Sequence, residues 1–343
     1  MQYTIVGAGA IGGTIGAYLA RAGHDVLFVE SVAEHVAAIN ANGITLTGYA
    51  ETFTSTARAI SPENMPDGLQ RVILAVKSPA TQHAIKTIAP HLALDGLVVS
   101  AQNGLNEIWI SDAVGADRTI GCFVNFSATY MEPGVVALGG PGAFWIGELD
   151  GKMSGRLANL QHDLSAWSVA GQERRQVRCT PNIWGYLWGK MGYGAMLFGT
   201  ALTNESMADG IDKHRTVLRA LAGEVLCVAR AEGVHPLGFD GYDPDAITST
   251  DANRANASIN DLIAIRRADT QTHSGVWRDL AVRKRKTEVD AQFGPILDRA
   301  DFHHIDTPLL RRMVQMIHEI EDHQRELQSS NLDELAGVCQ NAA

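Results

Sequence analysis

Apolar residues run in short continuous stretches through the first half of the chain and at helical spacing through the second. Tyr3–Val6, Asp25–Val29, Arg71–Val76 (RVILAV), Gly96–Ser100 (GLVVS) and Arg118–Phe123 (RTIGCF) are stretches of the first kind. Runs this short, without regular polar alternation, predict strands buried on both faces. Thr14–Ala22, closed by Gly23, predicts a helix between the first two, and helical patterning separates the others. Strands alternating with helices predict a parallel sheet with crossover connections. The Gly-rich stretch Gly134–Gly147 predicts a hairpin or meander, and Lys152–Ala170 returns to helix.

Past residue 180 the strand-like runs end. Residues 182–234 and 254–328 carry Ala, Leu, Arg and Glu at helical spacing, with Asp240–Asp251 (DGYDPDAITSTD) as a loop or cap between them. The expectation is an α/β chain with an N-terminal parallel-sheet domain over 1–181 and an all-helical domain over 182–328. The small, polar tail 329–343 is expected to fray.

Gly7-Ala8-Gly9-Ala10-Ile11-Gly12 spells GxGxxG between the first strand and the first helix. Gly7 permits the tight turn, Gly9 lets backbone approach a pyrophosphate, and Gly12 lets helix and strand pack closely. The helix start at Ala10 and Ile11 offers unpaired N–H groups and a positive dipole end. Glu30 ends the second strand in LFVE, where a carboxylate can accept the ribose hydroxyls of NAD and repel the 2′-phosphate of NADP. The first domain is therefore of the Rossmann dinucleotide-binding type, taking NAD(P)H with NAD favoured over NADP by Glu30.

Lys77 (AVKSPAT) and Asn103 (SAQNGLNE) follow the third and fourth strands, at the edge where open α/β sheets bind ligands. By themselves they read equally as a surface lysine and an Asn-Gly turn. Lys190 is the lone lysine of the apolar, aromatic stretch Asn182–Met191. Such surroundings favour its neutral form and suit proton exchange; the plain alternative is a lysine snorkelling from a helix face. Glu288 follows the run Arg283–Lys286 (RKRK), which reads as a solvated helix face.

Composition narrows the classes. The 343 residues are 45% apolar, enough for large cores, and 28 basic against 38 acidic side chains leave a net charge of −10. That charge disfavours nucleic acid and anionic membranes as partners. No run of about 18 apolar residues predicts a membrane span, and the chain opens on a strand rather than a basic, apolar leader. Cys122, Cys179, Cys227 and Cys339 form no CxxC pair and read as reduced thiols of a cytoplasmic protein. His318 and His323 lie five apart, about 140° around a helix, and cannot share a metal; no metal is expected. Neither GxSxG nor a P-loop occurs.

Taken in order, GAGAIGG, AVKSPAT, AQNGLNE, the Trp188-Gly189-Lys190 segment, Lys286-Thr287-Glu288-Val289-Asp290 and His304-Ile305-Asp306-Thr307-Pro308 resemble the ketopantoate reductase (2-dehydropantoate 2-reductase) family over about residues 1–325. The resemblance implies hydride transfer between a nicotinamide and a small 2-keto or 2-hydroxy acid. It casts Lys190 as the general acid/base and Glu288 as the carboxylate that positions substrate and lysine. Lys77 and Asn103 become cofactor and substrate contacts, and Ser274 the candidate for a substrate-contacting serine. Four and eight residues after the lysine the family usually shows Asn; here stand Gly194 and Phe198. Two amides are lost and an aromatic gained, which points to a bulkier or aromatic acid, with Trp184, Trp188, Tyr193 and Trp277 as candidate lining. The alternatives are ketopantoate reduction in pantothenate synthesis and, from another class, an NAD(P)-binding sensor without turnover. A homodimer built on the helical domain is compatible with either.

Overall fold

The computed structural model describes residues 1–49, 51–268 and 271–341. The chain divides into two compact units, Met1–Ile183 and Trp184–Ala343.

The first unit contains twelve strands among its described residues: β1 Gln2–Val6, β2 Asp25–Val29, β3 Ile44–Gly48, β4 Phe53–Ser55, β5 Arg58–Ile60, β6 Leu69–Leu74, β7 Leu92–Ser100, β8 Thr119–Val124, β9 Ser127–Glu132, β10 Val135–Gly140, β11 Phe144–Glu148 and β12 Val177–Cys179. Its helices are α1 Ala10–Arg21, α2 Ala33–Asn42, α3 Thr81–Ile88, α4 Glu107–Val114 and α5 Gly155–Leu164. The main sheet runs β12-β11-β8-β7-β6-β1-β2-β5. From β5 to β8 all pairs are parallel, and β11 joins antiparallel to β8. Read from β5, the parallel part has the doubly wound order 3-2-1-4-5-6, which places a crevice beside β1 where the winding reverses.

Alternate residues of these strands enter two cores. Tyr3, Ile5, Phe28, Ile73 and Val99 pack on one face, and Val6, Val29, Val72, Leu74 and Val98 on the other. Burial on both faces is why the strands appear as unbroken apolar runs.

A second sheet, β4-β3-β10-β9, covers α1. It corrects the hairpin expected over Gly134–Gly147, for β10 pairs with β3 and β9 whereas β11 belongs to the main sheet. Helix α1 lies tight between the two layers. A Cβ on Gly16 would meet Phe28 Cζ at 2.4 Å on the main-sheet side, and one on Gly13 would meet Val136 Cγ1 at 2.9 Å on the other.

The second unit is helical: α6 Ile183–Thr200, α7 Met207–Lys213, α8 Arg215–Ala231, α9 Pro244–Ile247, α10 Ala252–Ala268, α11 Gly275–Trp277, α12 Val289–Phe302, α13 Pro308–Glu321 and α14 Ser330–Asn341, with a π-helical turn at Arg278–Val282. Leu218, Leu221, Val225, Met313, Met316 and Ile317 fill its core. No helix among the described residues is long and apolar enough to cross a membrane. Cys122, Cys179 and Cys227 stand as thiols; the side chain of Cys339 lies outside the described residues.

Over its described residues the tail does not fray but forms α14. Helix α14 buries Leu332 and Leu335 completely and packs on α8 and α13. Two leucines at i, i+3 supply the apolar stripe, and charges reinforce it. Arg312 donates to Glu319 (2.7 Å) and Glu334 (2.9 Å), and Arg325 donates to the same two carboxylates. Burial favours the protonated form of Glu319 and Glu334, but the arginine hydrogen bonds outweigh it and hold both carboxyls below the usual glutamate range. Depressed carboxyls stabilise above that range, and the contribution is lost as pH falls through their lowered values. Arg325→Ala should therefore cost about 1 kcal/mol at neutral pH. The difference in melting temperature from the unaltered chain should shrink as pH falls below the usual glutamate range, down to the share held by the Arg325 bond to the Asn331 side-chain oxygen. A difference that does not shrink at all would assign the loss to the Asn331 bond and packing rather than to charge.

Candidate active site

The loop between β1 and α1 is built around glycines. Gly7 has φ +93°, and a Cβ there would sit 2.9 Å from Val76 N. A Cβ on Gly12 would come within 2.0 Å of the Gly7 carbonyl oxygen, whereas one on Gly9 would meet nothing within 4 Å. Gly9 caps α1 without a side chain, and the first intrahelical bond runs from Gly13 N–H to the Gly9 carbonyl at 2.7 Å. The N–H groups of Ala10, Ile11 and Gly12 therefore have no intrahelical acceptor, and no acidic side chain occupies the first turn. An open step at Gly9 in front of three such donors fits a pyrophosphate.

Glu30 lies at the end of β2 and is tied into this loop. Its carboxylate accepts the Ala8 N–H at 3.0 Å on one oxygen, and the Val32 N–H (3.0 Å) and Ser31 hydroxyl (3.3 Å) on the other. The carboxylate is thus fixed one strand away from the pyrophosphate step, where ribose hydroxyls would reach it.

Lys77 and Asn103 are exposed on the loops after β6 and β7, two neighbouring parallel strands. A buried polar network joins those loops. Asn106 donates to the Asn103 carbonyl (2.6 Å) and to the Ser78 hydroxyl (3.3 Å), and its oxygen accepts from Thr81 (2.9 Å). Gln102 donates to the Thr81 hydroxyl (2.7 Å) and to the Val76 carbonyl (2.8 Å). Asn106 and Thr81 are wholly buried. These positioning residues went unread in the sequence; the one signal is that Asn106 stands three after Asn103, at the start of α4.

In the helical unit, Lys190 sits half-buried in the middle of α6, and Gly194 follows one turn later on the same face. A Cβ on Gly194 would meet nothing within 4 Å. Glycines on other sides of the helix are packed: a Cβ on Gly189 would strike the Leu237 carbonyl at 2.2 Å, and one on Gly199 the side chain of Leu218 at 2.5 Å. Phe198 does not line an open face. It is 2% exposed, and its ring meets Phe293 edge to face at 4.9 Å, which joins α6 to α12. Trp188 and Tyr193 are likewise core, Tyr193 packing against Phe239 and Tyr242, while Trp277 stacks on His273 at 4.0 Å. Ser274 is buried and caps α11, accepting the Trp277 N–H at 3.2 Å.

Glu288 is the residue before α12. Its neighbour Thr287 is held by Glu321 of α13, which accepts both the Thr287 N–H and hydroxyl at 2.7 Å. The preceding RKRK run is exposed but not helical. Arg283 (2.7 Å) and Arg285 (2.9 Å) turn back to pair with the buried Asp279, and Lys284 takes φ +48° to let them do so. Among the described residues no three His, Cys, Asp or Glu side chains gather as a metal site.

Comparison with known proteins accounts for both units. The family model for ketopantoate reductase PanE/ApbA matches residues 3–151, and its C-terminal model matches residues 182–321. The chain belongs to the ketopantoate reductase PanE/ApbA family. A 2-dehydropantoate 2-reductase of Pyrococcus horikoshii is 29% identical over 90% of this chain and 94% of the relative. One of Mesorhizobium japonicum is 28% identical over 70% and 79% respectively. A family ketopantoate reductase of Ralstonia eutropha superposes with a TM-score of 0.76 at 29% identity, over 94% of this chain and 99% of the other. The fold is also that of D-mandelate dehydrogenase bound to NADH and anilino(oxo)acetate, with a TM-score of 0.77 at 21% identity over 94% and 99%. This family member is a ketopantoate reductase-like, NAD(P)-dependent oxidoreductase.

Asn106→Leu keeps the branched shape but removes the oxygen that accepts from the Thr81 hydroxyl and the amide that donates to Ser78 and to the Asn103 carbonyl. In this reductase it should cost about 2 kcal/mol of first-unit stability in a denaturant titration. A stability equal to that of the unaltered chain would show that the network carries none.

Proposed function

We propose that the enzyme reduces a 2-keto acid with NADH, and that Lys190 gives the proton to the keto oxygen. When bound, the nicotinamide supplies the hydride. The chain supplies everything else. The N–H groups of Ala10 to Gly12 bind the pyrophosphate, Glu30 accepts ribose hydroxyls, and Lys77 and Asn103 hold cofactor and substrate at the strand ends. Lys190 carries a proton at Nζ, and Glu288 orients lysine and substrate, with Ser274 as a further contact. Oxidation of the hydroxy acid runs the same proton back to Lys190.

The observation that carries this reading is the α6 face on which Lys190 and Gly194 lie one turn apart, with open space where a Gly194 side chain would be. An acid/base beside a vacant position suits a substrate that fills the vacancy itself. Without an amide at 194 the pocket offers less to a polar hydroxyl and more to bulk, which favours an acid larger and less polar than ketopantoate. The preference for NADH rests on Glu30, because a carboxylate fixed by two backbone N–H groups cannot swing away from a 2′-phosphate. Ketopantoate itself stays as a second reading, supported by the named activity of relatives that match 90% of the chain.

Purified enzyme assayed with NADH and NADPH against ketopantoate and a panel of larger aliphatic and aromatic 2-keto acids tests this. The expected outcome is a higher kcat/KM with NADH and with a bulkier acid. NADPH-dependent turnover of ketopantoate above all others would overturn it in favour of the biosynthetic reading. Lys190→Ala should lower kcat by at least about 100-fold while NADH still binds. Turnover near that of the unaltered enzyme would remove Lys190 from the proton transfer.

A further inference from the structure

His35, on α2, is 1% exposed and belongs to none of the motifs above. Its ring touches two backbones. The Gly134 N–H, in the turn between β9 and β10, donates to Nδ1 at 2.9 Å, and Nε2 lies 2.8 Å from the Ala8 carbonyl oxygen. Since a backbone N–H can only donate, Nδ1 is an acceptor and the ring proton is on Nε2, given to Ala8. Tyr130 of β9 closes on the imidazole edge to face at 5.1 Å and fixes its plane.

The consequence follows from peptide planarity. The carbonyl of Ala8 and the N–H of Gly9 belong to one trans peptide and point in opposite directions. Drawing the Ala8 oxygen inward to His35 turns the Gly9 N–H away from it. Glu30 does the same for the preceding peptide by holding the Ala8 N–H at 3.0 Å. We propose that His35 is a positioning residue of the dinucleotide site, orienting the Gly9 N–H as a fourth donor to the pyrophosphate beside those of Ala10, Ile11 and Gly12. The inference rests on the reading that this loop holds the dinucleotide.

Two near-isosteric substitutions separate the two bonds. In His35→Gln the side-chain amide can take the place of Nε2 and still donate to Ala8, but the acceptor for Gly134 is lost. In His35→Asn the acceptor can be kept and the donor to Ala8 is lost. NADH affinity, read by fluorescence titration without substrate, should fall about tenfold in H35N, and H35Q should recover most of that loss. A residue that merely braces α2 against the second sheet predicts the reverse order in melting temperature and equal affinities. Equal affinities in the two variants, or a weaker H35Q, would overturn the proposal. If H35N does not fold, the unaltered protein labelled with 15N-histidine decides. A proton on Nε2 whose resonance moves on adding NADH is expected, and a proton on Nδ1 or an unmoved signal would overturn it. If the unaltered chain binds neither NADH nor NADPH, the dinucleotide reading itself fails, a result distinct from any difference between the variants.

Discussion

The first unit depends on how closely α1 approaches its neighbours. A Cβ on Gly12 would lie 2.0 Å from the Gly7 carbonyl oxygen, so any other residue would push the helix start off the loop it must sit beneath. Once the helix is seated, the loop above it has little freedom. The Gly7 carbonyl points at Gly12, and the N–H of the same peptide, on Ala8, points the other way and is taken by Glu30. The next peptide is pinned by its carbonyl on His35. Glycine supplies the space and two side chains from different elements set the direction. The edge proposed to bind the pyrophosphate is thus pre-formed, so little ordering would remain when a ligand arrives.

The second sheet gains a purpose in this light. It packs Val136 against α1 and brings the Gly134 N–H to His35. A doubly wound sheet alone would leave that side of α1 and the imidazole to solvent. Covering it removes the water that would compete for the Ala8 carbonyl, and a buried hydrogen bond fixes orientation better than an exposed one.

What could be read in the sequence follows the range of the interactions. The five inner parallel strands were legible because burial on both faces writes an unbroken apolar run, whereas the three-residue edge strands β5 and β12 are too short to do so; the Gly7–Gly12 loop was legible because sterics at Gly7 and Gly12 leave no alternative residue. The second sheet was not. Ile44-Thr45-Leu46-Thr47 does alternate, but β3 finds its parallel partner β10 some ninety residues later, and no local pattern encodes that pairing. Helix α14 was misjudged because small, polar residues surround Leu332 and Leu335, and the arginines that hold it lie on and just beyond α13. The positioning residues His35, Asn106 and Glu321 were invisible for a related reason. Each acts on a backbone or hydroxyl far away in sequence, and a histidine or glutamate in a helix, or an asparagine just before one, carries little mark of what it faces. Phe198 was legible as a change from the family's usual asparagine, but not as core, because only the fold shows Phe293 opposite.

That last point changes how the two substitutions on α6 bear on specificity. Were both positions open, the chain would have exchanged two amides for a bulky aromatic wall. With Phe198 turned into the core, the proposed reading leaves position 198 to act on a substrate only through the packing of α6 on α12, and confines any direct change to Gly194. Removing one amide from a site costs the affinity of a substrate whose hydroxyl it would have bonded, because that hydroxyl is then desolvated without a partner. It costs an apolar substrate nothing, and the vacated volume adds contact area for a larger one. Under the proposed function, a single glycine one turn from Lys190 therefore shifts the preferred acid while the lysine stays where the helix puts it.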